Sequence, residues 1–284
     1  MTEPAADPHG LVALPPQAAA LLRVLDSVFE RWGVQDGAKP MIMPPLLPVA
    51  ALARLDVYEN FPHQALVAGA LDLQRHRPGG RPETFAPTDV EPLALALPSA
   101  ACFAVYLHHE GAVLDGDTMV TVMSRCFRRE DRWEGLRRML GFHMREVVAL
   151  GSAEFVAEHL RRFEERIVPF AAALGLDLRK IPAADPFYDR GGQRALLARL
   201  APVKHEFVVG DLAIASVNVH RNFFGERCGI TYGPAGAAAF SSCAAFGLER
   251  WLSVLHERHG DWEAAAAAVD EAATVAAAAA VGCA

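Results

Sequence analysis

The chain has 284 residues, 52% of them hydrophobic, enough to bury a sizeable core in one large domain or two small ones. A formal net charge of −7 excludes a broad electrostatic footprint for nucleic acid, so the basic run from Arg125 to Arg145 suits the phosphates of a small ligand instead. The five cysteines (Cys102, Cys126, Cys228, Cys243 and Cys283) form no C-x-x-C pair and fit a reduced, cytoplasmic setting, and no apolar run has the bulk of a membrane span.

Residues 1 to 15 read as a frayed start. Pro16 to Trp32 carries the apolar stripe Leu21, Leu22, Leu25, Val28 and Phe29 of an amphipathic helix, with Gly33 as its expected stop. A short strand over Met41 to Met43 ends at Pro44-Pro45, and a helix follows through Leu52. Tyr58 to Pro62 and Arg75 to Pro82 are read as loop and turn, and Phe85 to Thr88 as a strand. Pro98-Ser99 opens a helix that places Cys102 in its first turns.

Ser124 to Leu150 reads as strand, charged loop and returning strand. If Arg125 to Glu130 is extended, Cys126, Arg128 and Glu130 share one face; on the return, Phe142, Met144 and Glu146 do the same. Together they offer an arginine, an aromatic ring and two carboxylates to an anionic, ring-bearing ligand such as a nucleotide. The local pattern also fits a solvated charged hairpin, or a helix with Arg138, Phe142 and Glu146 at i, i+4 and i+8. Ala153 to Leu174 is an amphipathic helix, and Asp185 to Leu200 is polar and partly helical. Lys204 to His220 alternates in its second half, with Ser216, Asn218 and His220 on the face that looks into a site. Asn222 to Tyr232 is expected to be a turn and partner strand. After S-S-C-A-A-F-G comes a helix with Arg250 in its first turns, and Trp262 to Ala280 forms a final alanine-rich helix.

These stretches together resemble the three motifs of class II aminoacyl-tRNA synthetase catalytic domains. The elements ending at Pro44-Pro45 resemble motif 1, the dimer-forming element. F-R-R-E with L-R-R-M-L-G-F-H-M-R-E resembles motif 2, and F-G-L-E-R at 246 to 250 resembles motif 3. Seryl enzymes have Thr-x-Glu where this chain has P-S-A-A-C, and a coiled-coil arm for tRNA that is missing here. Cys102, Glu146 and Cys243 together are similar to the zinc-dependent seryl enzymes and to their shortened homologues, the amino acid:carrier protein ligases.

The resemblance implies an α+β fold, an antiparallel sheet flanked by helices. It implies a single catalytic domain over 1–284 with no tRNA-binding domain, and a homodimer. ATP would activate a small amino acid, glycine or alanine, and the aminoacyl group would pass to the phosphopantetheine thiol of a carrier protein, without tRNA or membrane. Arg128 would hold the α-phosphate and the amino acid carboxylate, Glu130 the adenine amino group, and Phe142 the adenine face. Arg250 would cover the other face and reach the γ-phosphate, with Arg138, or its competitor Arg137, as a second contact. Ser216, Asn218 and Lys204 would meet the substrate. Zn²⁺ would sit on Cys102, Glu146 and Cys243, Cys126 being the rival ligand, with its fourth position open to the substrate α-amine. Mg²⁺ would accompany ATP; Ala213 replaces a metal-binding Glu of the seryl enzymes, and Glu206 is a possible substitute. His143, His220, Tyr58, Trp133 and Trp251 read as structural. The alternatives are a truncated seryl-type synthetase charging tRNA and a catalytically silent regulatory protein.

Overall fold

The computed structural model describes residues 7–75, 79–189, 191–193, 196, 200 and 202–281. Seven strands form the sheet that carries the site: β1 (Lys39–Met41), β2 (Thr118–Phe127), β3 (Gly141–Gly151), β4 (Leu178–Ala183), β5 (Lys204–Val209), β6 (Leu212–Arg221) and β7 (Phe240–Gly247). Their order is β1-β2-β3-β7-β6-β5-β4. Every pairing is antiparallel except β1 with β2, which is parallel.

One face of this sheet is covered by four long helices: α1 (Pro16–Gln35), α5 (Ala153–Ala173), α7 (Leu248–His259) and α8 (Trp262–Val281). The stripe read from the sequence buries Leu21, Leu25, Val28 and Phe29 there, and Phe29 stacks on Phe246 at 4.1 Å with Trp251 beside it. Each such side chain contributes about 2 kcal/mol by leaving water. Gly33 is no stop: α1 runs two residues past it, because its missing side chain lets the helix lie on Val147, whose Cγ2 a Cβ would meet at 3.0 Å. Arg145, buried on this face, is gripped by both carboxylate oxygens of Asp26 from α1 at 2.7 Å each.

The other face is covered by short helices: α2 (Val49–Arg54), α3 (Val57–Asn60), α4 (Cys102–His108) and α6 (Phe223–Cys228). Val120, Val122, Val148 and Leu150 of the sheet pack here with Tyr106 and Phe224. The different coverings set the chemistry: long helices seal one face, and short helices and loops leave room on the other.

Several expectations are corrected. Phe85 to Thr88 is no strand; the chain turns through a 3₁₀ segment at Pro87–Asp89, where Asp89 accepts a hydrogen bond from the Ala86 amide. The first strand is Lys39–Met41 rather than Met41 to Met43. Lys204 to His220 is a hairpin, β5 and β6, turning at Gly210 with φ +60°. Residues 223–228 form α6, Thr231–Tyr232 is a two-residue strand of a separate small sheet, and β6 lies between β5 and β7. Of the partly helical stretch expected over 185 to 200, residues 185–189 carry no helix, and residues 190, 194, 195 and 197–199 lie outside the described residues, as does Cys283.

Candidate active site

Three buried side chains converge on the open face. Glu146 and Cys243 lie on adjacent strands; Glu146 pairs with Ala245 and Cys243 with Val148, so the period of two turns both toward the same face. Cys102, the first residue of α4, comes down from above. One ligand atom from each of the three lies within 4.8 Å of the others, and their exposures are 5%, 1% and 2% for Cys102, Glu146 and Cys243.

The electrostatics are those of crowded acids. Burial, then the neighbouring Cys243, raises the Glu146 carboxyl well above its usual range. The Cys102 thiol hydrogen-bonds Cys243, which lifts Cys102 and draws Cys243 below an ordinary thiol; His220 and Asn218 add to the pull on Cys243. Glu146 Oε1 accepts the Ala101 amide at 2.9 Å, while the buried Oε2 has no hydrogen-bond partner. Three acids packed against one another, with a carboxylate oxygen left over, form a group that could hold a cation. Two sulfurs and an oxygen at this spacing fit a zinc-like ion.

Cys126 shares the sheet face but not the site. It lies four residues from Val122, the partner of Glu146, hence about 13 Å along the strand. It is wholly buried among apolar residues, and burial raises its thiol.

Beside the cluster lies a cleft lined by Arg128, Glu130, Arg137, Arg138, Phe142, Glu206 and Arg250, among others. Strand β2 ends at Phe127, so Arg128 and Glu130 sit in the loop beyond it rather than on an extended face. Arg128 Nε donates to the Ser99 carbonyl at 3.0 Å, and its guanidinium lies 5.1 Å over the Phe142 ring. Arg250, in the first turn of α7, donates to the carbonyls of Arg137 and Ala213 at 3.1 and 3.0 Å. Burial and then Arg128 and Arg138 pull its pKa down to about 10, so it is still cationic at neutral pH. Arg138 ion-pairs with Glu130 at 2.6 Å, whereas Arg137 pairs with Glu134 and Asp211; both arginines line the cleft. Concentrated guanidinium charge with an aromatic wall fits a polyanion bearing a flat ring.

A larger cavity of about 520 Å³ opens on the cluster itself, lined by Cys102, Glu146, Cys243, Asn218 and His220 and by the aromatic rings of Phe61, Phe103, Phe187 and Phe224. Arg128, Lys204 and Ser216 border both spaces. Lys204 is no free surface lysine: its Nζ lies 3.0 Å from Asp185 and 3.2 Å from Glu206. Asn218 donates from Nδ2 to Cys243 Sγ at 3.3 Å. Of the residues read as structural, Trp251 is wholly buried in the core. His220 is not peripheral, since its Nε2 lies 3.8 Å from Cys243 Sγ. The Ser216, Asn218, His220 alternation already put it on the site face. Glu249 was missed inside the quoted G-L-E-R; it holds His143 by the amide at 2.8 Å and by Nδ1 at 2.6 Å, fixing β3 beside Phe142.

No protein-family model matches the chain. It is 33% identical over 239 residues to amino acid–acyl-carrier-protein ligase 2 of Bradyrhizobium diazoefficiens, covering 78% of this chain and 70% of the relative. It is 30% identical over 238 residues to ligase 1 of that organism, covering 79% and 72%. The chain belongs to the amino acid–acyl-carrier-protein ligases. It is also 26% identical to the type-2 serine–tRNA ligase of Methanopyrus kandleri, over 86% of this chain and 53% of that protein. Among solved structures, the M. kandleri seryl-tRNA synthetase in complex with tRNASec superposes with a TM-score of 0.74 at 22% identity, covering 93% of this chain and 57% of that one. Prolyl-tRNA synthetase of Giardia lamblia with prolyl-adenylate gives 0.68 at 17%, covering 87% and 47%. The fold is thus that of class II synthetases, α+β, and the chain spans about half the length of those synthetases.

Proposed function

We propose that this ligase uses ATP to activate a small amino acid, glycine or alanine, and passes it to the phosphopantetheine thiol of a carrier protein. The observation that carries the reading is the meeting, at Arg128, of an arginine-lined cleft with the buried Cys102, Glu146 and Cys243 cluster. ATP occupies the cleft, its adenine on Phe142 and its amino group on Glu130, which exchanges the Arg138 ion pair for the nucleotide. Arg138 and Arg250 then hold the γ-phosphate, and Arg128 draws the α-phosphate and the amino acid carboxylate together. The carboxylate oxygen attacks the α-phosphorus and pyrophosphate leaves; the residues place and neutralise charge, and no protein nucleophile is needed.

The cluster fits Zn²⁺, held by Cys102, Glu146 and Cys243. When bound, the ion supplies an anchor for a neutral α-amine, which selects amino acids over other acids. Ser216, Asn218 and Lys204 line the amino acid's side of the site, and Glu206 is the available carboxylate for the Mg²⁺ that accompanies ATP. A cavity of about 520 Å³ is roomier than glycine or alanine needs, and its aromatic walls are available to a pantetheine arm. The acceptor sulfur attacks the carbonyl carbon and AMP leaves; a thiol ionises readily enough to need little help. The net charge of −7 favours a carrier protein over tRNA, and the reading is of one catalytic domain working in the cytoplasm as a homodimer.

Mass spectrometry of a phosphopantetheinylated carrier protein incubated with enzyme, ATP and glycine or alanine tests this. A gain of one aminoacyl residue that hydroxylamine removes is expected. Charging of tRNA with no thioester on any carrier would replace it with the synthetase reading.

A further inference from the structure

The sulfur of Cys243 is held from two sides. Asn218 donates to it from the neighbouring strand, so the sulfur is an acceptor. His220, two residues on and on the same face, brings Nε2 to 3.8 Å. The His220 ring is not free to turn: its Nδ1 lies 3.1 Å from the hydroxyl of Tyr106, and its edge packs 4.9 Å from Phe224, which itself stacks on Tyr106 at 3.9 Å and 12°. Tyr106 is wholly buried. As a metal-bound thiolate the Cys243 sulfur carries no hydrogen, so in this contact Nε2 is the donor; Nδ1 then accepts, and the Tyr106 hydroxyl donates to it. The row runs one way, from Tyr106 O–H to His220 Nδ1, and from His220 Nε2–H to Cys243 Sγ. His220 is not in the group whose ligand atoms all lie within 4.8 Å of one another, so it addresses the sulfur rather than joining the ligand set.

We infer that Tyr106 and His220 are positioning residues for the cation site: the oriented hydrogen bond onto Cys243 fixes its sulfur and draws charge from it. This rests on the metal reading given above. A hydrogen bond to a metal-bound thiolate reduces what the sulfur donates but holds it preset for the ion; the positioning effect is the larger, since loss of such outer partners commonly weakens binding by about 10- to 100-fold. It also makes the two sulfurs unequal, because Cys102 lacks a comparable donor among the described residues.

Cobalt substitution reads this directly, because thiolate-to-cobalt charge transfer reports the sulfur's electron density. With the full chain loaded with Co²⁺, His220→Ala should move that absorption to longer wavelength and weaken binding in chelator competition by about 10- to 100-fold. Tyr106→Phe, which keeps the ring stack and removes only the hydroxyl, should move the band less in the same direction. His220→Gln, with an N–H still in reach, should lie closest to wild type. A wild-type band and wild-type affinity in folded His220→Ala overturns the inference. If that variant does not fold, an unmoved band in Tyr106→Phe overturns it. Absence of any thiolate-to-cobalt band in the unaltered protein is a different result: it removes the metal reading itself.

Discussion

Cys243 and Arg250 are close in sequence and line different spaces of the proposed site, so single substitutions separate them. Cys243→Ser keeps the volume and removes the soft donor; bound zinc should fall at least tenfold and activation should be lost while far-UV circular dichroism stays native. Full metal content would remove Cys243 from the ligand set. Arg250→Ala should raise the KM for ATP at least tenfold and change that for the amino acid much less, as steady-state kinetics in each substrate will show. His159 makes a pH prediction. It is buried against Ser242 at 2.9 Å, and burial lowers its pKa to about 3. The unfolded chain takes up that proton below about pH 6.5, and the folded chain does not until about pH 3, so stability falls with pH across that window, by about 1.4 kcal/mol per unit for this group. Urea titrations at several pH values should show a shallower acid loss in His159→Gln. Which residues were legible follows from geometry. Glu146, Asn218 and Ser216 were placed by strand alternation, whereas Cys102 and Cys243 are brought to Glu146 by tertiary contacts. No local spacing announces those, and resemblance alone picked them out.

At the scale of elements, α6 is the least legible and the most constrained. F-F-G-E-R-C is too short for helical periodicity to show, and its place is decided by Gly225. A Cβ there would meet the Ala239 carbonyl oxygen at 2.3 Å and the amide nitrogen at 2.7 Å, both backbone atoms that cannot swing away. Gly225→Ala should therefore cost about 1 to 3 kcal/mol in chemical denaturation and shift Phe224, a wall of the cavity, despite the better helix propensity of alanine. An unchanged midpoint would show that α6 slides freely. β7 was hidden for the opposite reason: Ser241 to Phe246 are buried on both faces, so no alternation betrays a strand. The long helices α1 and α5 were readable because each buries one side only. The tie from α1 to the sheet is ionic as well: Asp26→Ala leaves the buried Arg145 guanidinium only Thr121 at 3.2 Å and Glu30 at 3.5 Å, and should cost about 3 kcal/mol.

For the molecule as a whole, the antiparallel sheet with helices on both faces was legible through the three motifs, while the division into a sealed face and an open one emerges only from how α4 and α6 pack. The proposed homodimer is argued from the edge of the sheet. Ile42, 98% exposed beside the short parallel edge strand β1, lies in the stretch that the motif 1 resemblance assigns to the dimer contact. Ile42→Lys should lower the sedimentation coefficient toward that of a 30.6 kDa monomer at micromolar concentration. The account as a whole stands or falls on amino acid activation at a site that unites the arginine cleft with the sulfur cluster. Exchange of labelled pyrophosphate into ATP, measured across the common amino acids with zinc present and again after chelation, tests it most directly. The account predicts exchange that depends on glycine or alanine and disappears with the metal; no exchange with any amino acid in the zinc-loaded protein would contradict it.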